Sequence, residues 1–222
     1  MTQTLTEELW AAIEPVYAQI LDHPFLAGLT DGTLPRAAFR HFVVQDSHYL
    51  RDYARALALC AAKAPGEAEV RAFADDAIGA LAAEQGMHAQ FLDAFGDTAE
   101  QAAAEPVLPT TRAYTSYLLA TVHGGSFAEA VAAVLPCYWI YARVGEQLLA
   151  RSSPDPLYAR WIATYGDEAF QSVVRRVLEL TDRLGEDLSA TERRRAVEHF
   201  TTTSRYEWMF WDAAWRGERW PV

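Results

Sequence analysis

The sequence predicts an all-α fold. Three helix-opening motifs, long segments whose apolar residues recur at helical spacing, and the lack of sustained two-residue alternation all point to it. Each motif is a capping box, in which a Ser or Thr side chain takes the N–H of the residue three places on, and a Glu there reaches back. They stand at Thr4-Leu5-Thr6-Glu7, Ser126-Phe127-Ala128-Glu129 and Ser189-Ala190-Thr191-Glu192. The first helix runs from Thr4 to Leu21 and stops at Asp22-His23-Pro24. Asp31-Gly32-Thr33 reads as a turn, with Thr33 capping a long helix that carries Pro35 in its first turn and reaches Ala62 before Pro65-Gly66. Residues 67–95 read as one further helix, ended by Gly96. Residues 97–109, rich in Ala, Glu and Pro, read as a linker. Helices then follow over residues 111–123, 126–150, 156–165, 167–185 and 189–216. No repeat of 20–50 residues is visible, so residues 1–222 read as a single domain.

The composition narrows the function classes. Of 222 residues, 51% are hydrophobic and 22% charged, a balance that excludes a disordered chain. With 19 Lys and Arg against 30 Asp and Glu the net charge is −11, which repels a phosphate backbone, so no nucleic-acid partner is expected. No run of about 18 apolar residues stands out, and MTQTLTEELW lacks the basic start and apolar run of a signal peptide, so no membrane partner is expected. Cys60 and Cys137 are the only cysteines, too few for a disulfide framework, and a reducing cytoplasmic setting is the expectation.

Three polar residues fall where the helical pattern asks for apolar ones. Asp46 lies in the stripe made by Phe39, Phe42, Val43, Tyr49, Leu50 and Tyr53. A carboxylate on such a face needs a partner or a shifted pKa. A salt bridge or helix cap satisfies that need, and so does a flat cationic or amidine-like ligand among the tyrosines. Pro136 stands inside a helical pattern, where it removes a hydrogen bond at a cost of about 3 kcal/mol, so a kink is expected just before Cys137. Cys137 is four residues before Tyr141 and reads equally as a core residue or a nucleophile. Cys60, in Leu57-Ala58-Leu59-Cys60-Ala61, reads as a small buried hydrophobe. Glu207, among Trp208, Phe210 and Trp211, is either a salt-bridge partner of Arg205 or a carboxyl kept protonated for general acid work. Glu84 and His88 share a helix face at four-residue spacing, but the carboxylate and histidine pairs of a di-iron bundle are missing elsewhere, and no metal is assigned.

Taken in order, His23-Pro24-Phe25, Gln45-Asp46, Tyr114-Thr115-Ser116-Tyr117, Leu135-Pro136-Cys137 and the segment from Ser204 to Asp212 form a set that resembles the TenA / thiaminase II family, in the branch with an active-site cysteine. The resemblance spans His23 to Trp220. It implies a heme-oxygenase-like helical bundle, usually a homotetramer. It also implies an aminopyrimidine aminohydrolase and thiaminase that acts on a 4-amino-2-methylpyrimidine with a leaving group on its 5-methylene, in thiamin salvage, with no cofactor. By the same resemblance Cys137 is the nucleophile and Glu207 the proton donor, and Asp46 binds the ring nitrogen and 4-amino group. Tyr49, Tyr114, Tyr141, Tyr165 and Phe210 line the pocket. Ser47-His48 stands where members of the family vary, often with bulkier residues, so the pocket shape can differ here. Other classes on such a scaffold are a non-catalytic pyrimidine or thiamin carrier, a regulatory protein, and a di-iron oxidase.

Overall fold

The computed structural model describes residues 3–83, Gly86 and 89–222. Among them the regular elements are all helices: α1 (Leu5–Leu21), α2 (Pro24–Asp31), α3 (Arg36–Lys63), α4 (Glu67–Ala83), α5 (Ala89–Asp93), α6 (Ala99–Ala104), α7 (Pro109–Gly124), α8 (Phe127–Leu149), α9 (Pro156–Gly166), α10 (Glu168–Asp187) and α11 (Ala190–Arg216). The three predicted capping boxes are formed. Thr4 and Glu7 exchange side-chain-to-backbone bonds of 3.3 and 3.0 Å, and the Ser126/Glu129 and Ser189/Glu192 pairs do the same at α8 and α11.

Several expectations need correction. The segment between the first two predicted helices holds α2: Pro24 opens it rather than closing α1, because a proline's missing N–H costs nothing in a first turn. Its cap is His23, whose Nδ1 accepts the Phe25 N–H at 3.1 Å, a capping residue outside the usual Ser, Thr, Asp and Asn. Thr33 does not cap α3; Pro35 stands at that position with no side-chain bond. The expected linker contains α6, opened by a Thr98/Gln101 capping box. The helix expected over residues 67–95 is helical where it is described, as α4 and α5; most of the stretch between them, including Glu84 and His88, lies outside the described residues. The helix expected over residues 126–150 is found as α8, which runs through Pro136 over 23 residues.

The chain divides into two compact units, residues 1–34 with 131–208, and residues 35–130 with 209–222. In the first, α1 buries Leu5, Leu9, Ile13, Tyr17 and Ile20, a stripe at steps of four and three that lies on α10. Asp182 of α10 accepts the Thr6 N–H at 2.8 Å and the Thr6 hydroxyl at 3.0 Å, so it satisfies a donor that α1 leaves open in its first turn. Tyr158 of α9 donates to the Leu34 carbonyl at 2.7 Å. In the second unit α3 is the axis, packed by α4 and α7 and touched by α5 and α6. Lys63, at its C-terminal end, donates to the carbonyls of His123 and Gly125 at 3.2 and 2.8 Å, which closes the end of α7. Arg40 holds Asp97 and Glu105, fixing the segment that carries α6. By length and composition α8 is the one candidate membrane span among the described residues, but 67% of its apolar window is buried inside the protein, as in a core helix.

Candidate active site

Asp46 sits on α3 with a relative exposure of 4%, on the face that also presents Phe42, Tyr49 and Tyr53. The rings around it form a connected set within the second unit. Tyr49 lies 4.8 Å from Tyr114 of α7 and 5.8 Å from Phe210, and it stacks on Tyr53 at 5.5 Å. Phe42 meets Phe210 edge-on at 5.6 Å. Thus four sequence-predicted residues, Asp46, Tyr49, Tyr114 and Phe210, share this unit, and all four are buried. Phe42 and Tyr53 belong to the same ring set. Their positions four residues from Asp46 and from Tyr49 were the available signal.

The neighbouring residue has a separate task. Gln45 is buried and spans the loop before α7: its Nε2 donates to the Pro106 carbonyl at 3.1 Å, and its Oε1 accepts the Leu108 N–H at 3.0 Å. The start of α7, and with it Tyr114, is tied to α3 one residue from Asp46.

Cys137, Tyr141, Tyr165 and Glu207 lie in the first unit. Cys137 is half-buried on α8 directly after the buried Pro136, whereas Cys60 is fully buried in α3. Burial pushes the Cys60 thiol up to about 12, which leaves it protonated and inert. One turn beyond Cys137, the ring of Tyr141 lies 4.8 Å from that of Tyr165. Tyr165 continues the set to Trp161 at 4.8 Å and Phe170 at 5.5 Å. Trp161, four residues before Tyr165 on α9, was not singled out in the sequence. Glu207 is only 1% exposed. On the turn of α11 before it, the hydroxyls of Thr203 and Ser204 are turned back onto the carbonyls of His199 and Phe200, at 2.9 and 2.7 Å. His23, the first residue of the family-like set, is spent on capping α2 and on an edge contact with Trp208 at 5.4 Å.

These features offer two buried carboxylates, a half-buried thiol and two ring clusters. A carboxylate held away from water is a strong acceptor for the N–H edge of a flat heterocycle, or a proton donor when apolar surroundings favour its neutral form. The second unit also has a cleft of about 690 Å³ between the start of α3, residues 105–108 and the tail. None of the predicted site residues lines that cleft.

The TENA/THI-4/PQQC family matches residues 10–217. The aminopyrimidine aminohydrolase of Bacillus subtilis (strain 168) is 38% identical over 198 residues, covering 89% of this chain and 84% of that protein. Among solved structures, the TenA homologue protein from P. horikoshii OT3 superposes with a TM-score of 0.89 at 29% identity, covering 97% of this chain and all of the other. A domain with a heme oxygenase-like fold from Shewanella denitrificans OS217 aligns at a TM-score of 0.74 and 16% identity over 98% of this chain and 94% of its own, and shows the fold alone. The fold is thus all-α and heme oxygenase-like, and the chain belongs to the TENA/THI-4/PQQC family.

Proposed function

We propose that this chain is an aminopyrimidine aminohydrolase with thiaminase activity that works by covalent cysteine catalysis in thiamin salvage. The observation that carries the reading is the contrast in burial: two carboxylates, Asp46 and Glu207, are withdrawn from water on ring-lined helices, while Cys137 is only half-buried. The substrate class comes from the relatives that bear the name.

The chemistry asks for those three groups. Direct displacement of an amine from the 5-methylene is slow because the amine leaves poorly. In the proposed route the Cys137 thiolate forms a bond to a carbon of the pyrimidine ring. The displaced ring electrons form an exocyclic methylene and break the bond to the leaving group, which departs with that electron pair and a proton from Glu207. Water then adds to the methylene and gives its proton to the Glu207 carboxylate. The ring electrons return, the carbon–sulfur bond breaks, and the thiolate is restored. Asp46 takes the protonated ring nitrogen and the 4-amino group, two N–H donors that match two carboxylate oxygens, and so favours the electron-poor ring that the thiolate attacks. Tyr49, Tyr114, Tyr141, Tyr165 and Phe210 supply the walls against which the flat ring packs. Side chains and water handle every proton and electron pair, so the route needs no cofactor. The reading includes residues 1–222 as one catalytic domain, a homotetramer, and a cytoplasmic location.

The test is chromatography after incubating the protein with 4-amino-5-aminomethyl-2-methylpyrimidine and, separately, with thiamin. Release of 4-amino-5-hydroxymethyl-2-methylpyrimidine is expected, and the two rates rank amine against thiazolium as leaving group. No release from either substrate by folded protein would overturn the reading and leave a non-catalytic carrier in front.

A further inference from the structure

We infer that Gln171 is a positioning residue that sets the place of the Tyr165 ring, with Gly145 as its counterpart on α8; this rests on the reading of Tyr165 as a wall of the substrate pocket. Tyr165 stands in the last turn of α9, where backbone carbonyls have no partner within the helix. Gln171, in the first turns of α10, is buried, and its amide nitrogen donates twice: to the Tyr165 carbonyl at 3.0 Å and to the Ala142 carbonyl of α8 at 3.1 Å. One NH2 group thus spends both hydrogens on tying the end of α9 to α8, at the residue following Tyr141.

The same contact explains Gly145. A Cβ there would lie 2.5 Å from both the carbonyl carbon and the oxygen of Tyr165, and 2.8 Å from the Gly166 nitrogen. No side chain fits, so α8 can meet the backbone of Tyr165 only through a glycine. An amide that pulls and a gap that admits thus act on the same backbone unit. The 4.8 Å spacing of the Tyr141 and Tyr165 rings follows from where that unit sits. Neither residue needs to touch substrate; each acts through Tyr165.

The account predicts a specific pattern of coupling. Gln171→Leu keeps the bulk of the side chain but removes the amide donor. Gly145→Ala crowds the same backbone unit with a Cβ and guards against a failure of the first variant to fold. Each lowers kcat/KM for the aminomethylpyrimidine at least about tenfold, since a misplacement of about 1 Å in a positioned group can cost up to about a hundredfold. In a Tyr165→Leu background the same substitutions change kcat/KM less than about twofold, because the ring they position is gone. Any loss of thermal stability appears in both backgrounds, and crystal structures of the variants show the Tyr165 ring moved from its 4.8 Å spacing to Tyr141. Equal losses of kcat/KM in the two backgrounds, or a ring that has not moved, would overturn the inference. If the wild type hydrolyses no aminopyrimidine while the ring moves in the variants, the proposed function fails and the positioning of Tyr165 stands.

Discussion

Cys60 is fully buried in α3, with its thiol pushed up to about 12 by desolvation, whereas Cys137 is half-buried after Pro136. Because thiol reagents attack the thiolate, the native protein should consume one equivalent quickly and the second only on unfolding. Cys137→Ser should abolish the fast phase; a fast phase that survives it would contradict the assignment. A second titrating group sets an acid limit. Burial lowers the His41 pKa, reinforced by Arg219 and Arg40 and opposed by Glu218 and Glu105. The unfolded chain then takes up a proton near pH 6.5 that the folded chain resists, so this contribution to stability is present above about pH 6.5 and is lost as the pH falls below it. Replacing His41 by Gln should shrink the drop in melting temperature between about pH 7.5 and 5.5. An unchanged drop would count against it. At this scale the sequence was informative about identity and less so about duty. Asp46 and Glu207 stood out because a carboxylate interrupts an apolar helical pattern. Gln45 entered only through the family-like set and Gln171 not at all, since an uncharged amide leaves no such mark, and its value lies in contacts 61 to 63 and 29 residues away.

Helix starts announced by Ser or Thr with Glu were legible, and α1, α8 and α11 begin where their capping boxes stand. Less standard starts were misread. At α2 the cap is a histidine nitrogen and the first residue a proline, a pairing that looks like a stop after α1. At α6 the box uses Gln101 in place of Glu, inside a stretch whose Ala, Glu and Pro content looks like a linker. The cap of α2 offers a direct check. His23→Ala removes the acceptor for the Phe25 N–H and leaves that donor buried, which should cost about 1 kcal/mol on the scale of N-cap losses and lower the melting temperature by a few degrees. His23→Asn, which restores a side-chain acceptor, should recover most of it. Equal destabilisation by both would show that the ring's contact with Trp208, rather than the cap, is what matters.

For the molecule as a whole, the proposed homotetramer predicts a light-scattering mass four times 24.8 kDa, and a species of 24.8 kDa contradicts it. The all-α class was open to reading because it is written in local periodicity. The grouping of Tyr49 with Tyr114, and of Tyr141 with Tyr165, was not, because it depends on which helices pack. The family-like order of motifs supplied those residues where spacing alone could not. The central claim is that Cys137, and not merely the scaffold, carries the hydrolysis. It is met most directly by comparing the release of hydroxymethylpyrimidine from the aminomethylpyrimidine by wild type, Cys137→Ser and Cys60→Ser under identical conditions. The account predicts full activity in Cys60→Ser and a loss of about a thousandfold or more in Cys137→Ser, the scale seen when a covalent nucleophile is removed. Turnover by folded Cys137→Ser within a few fold of wild type would contradict it.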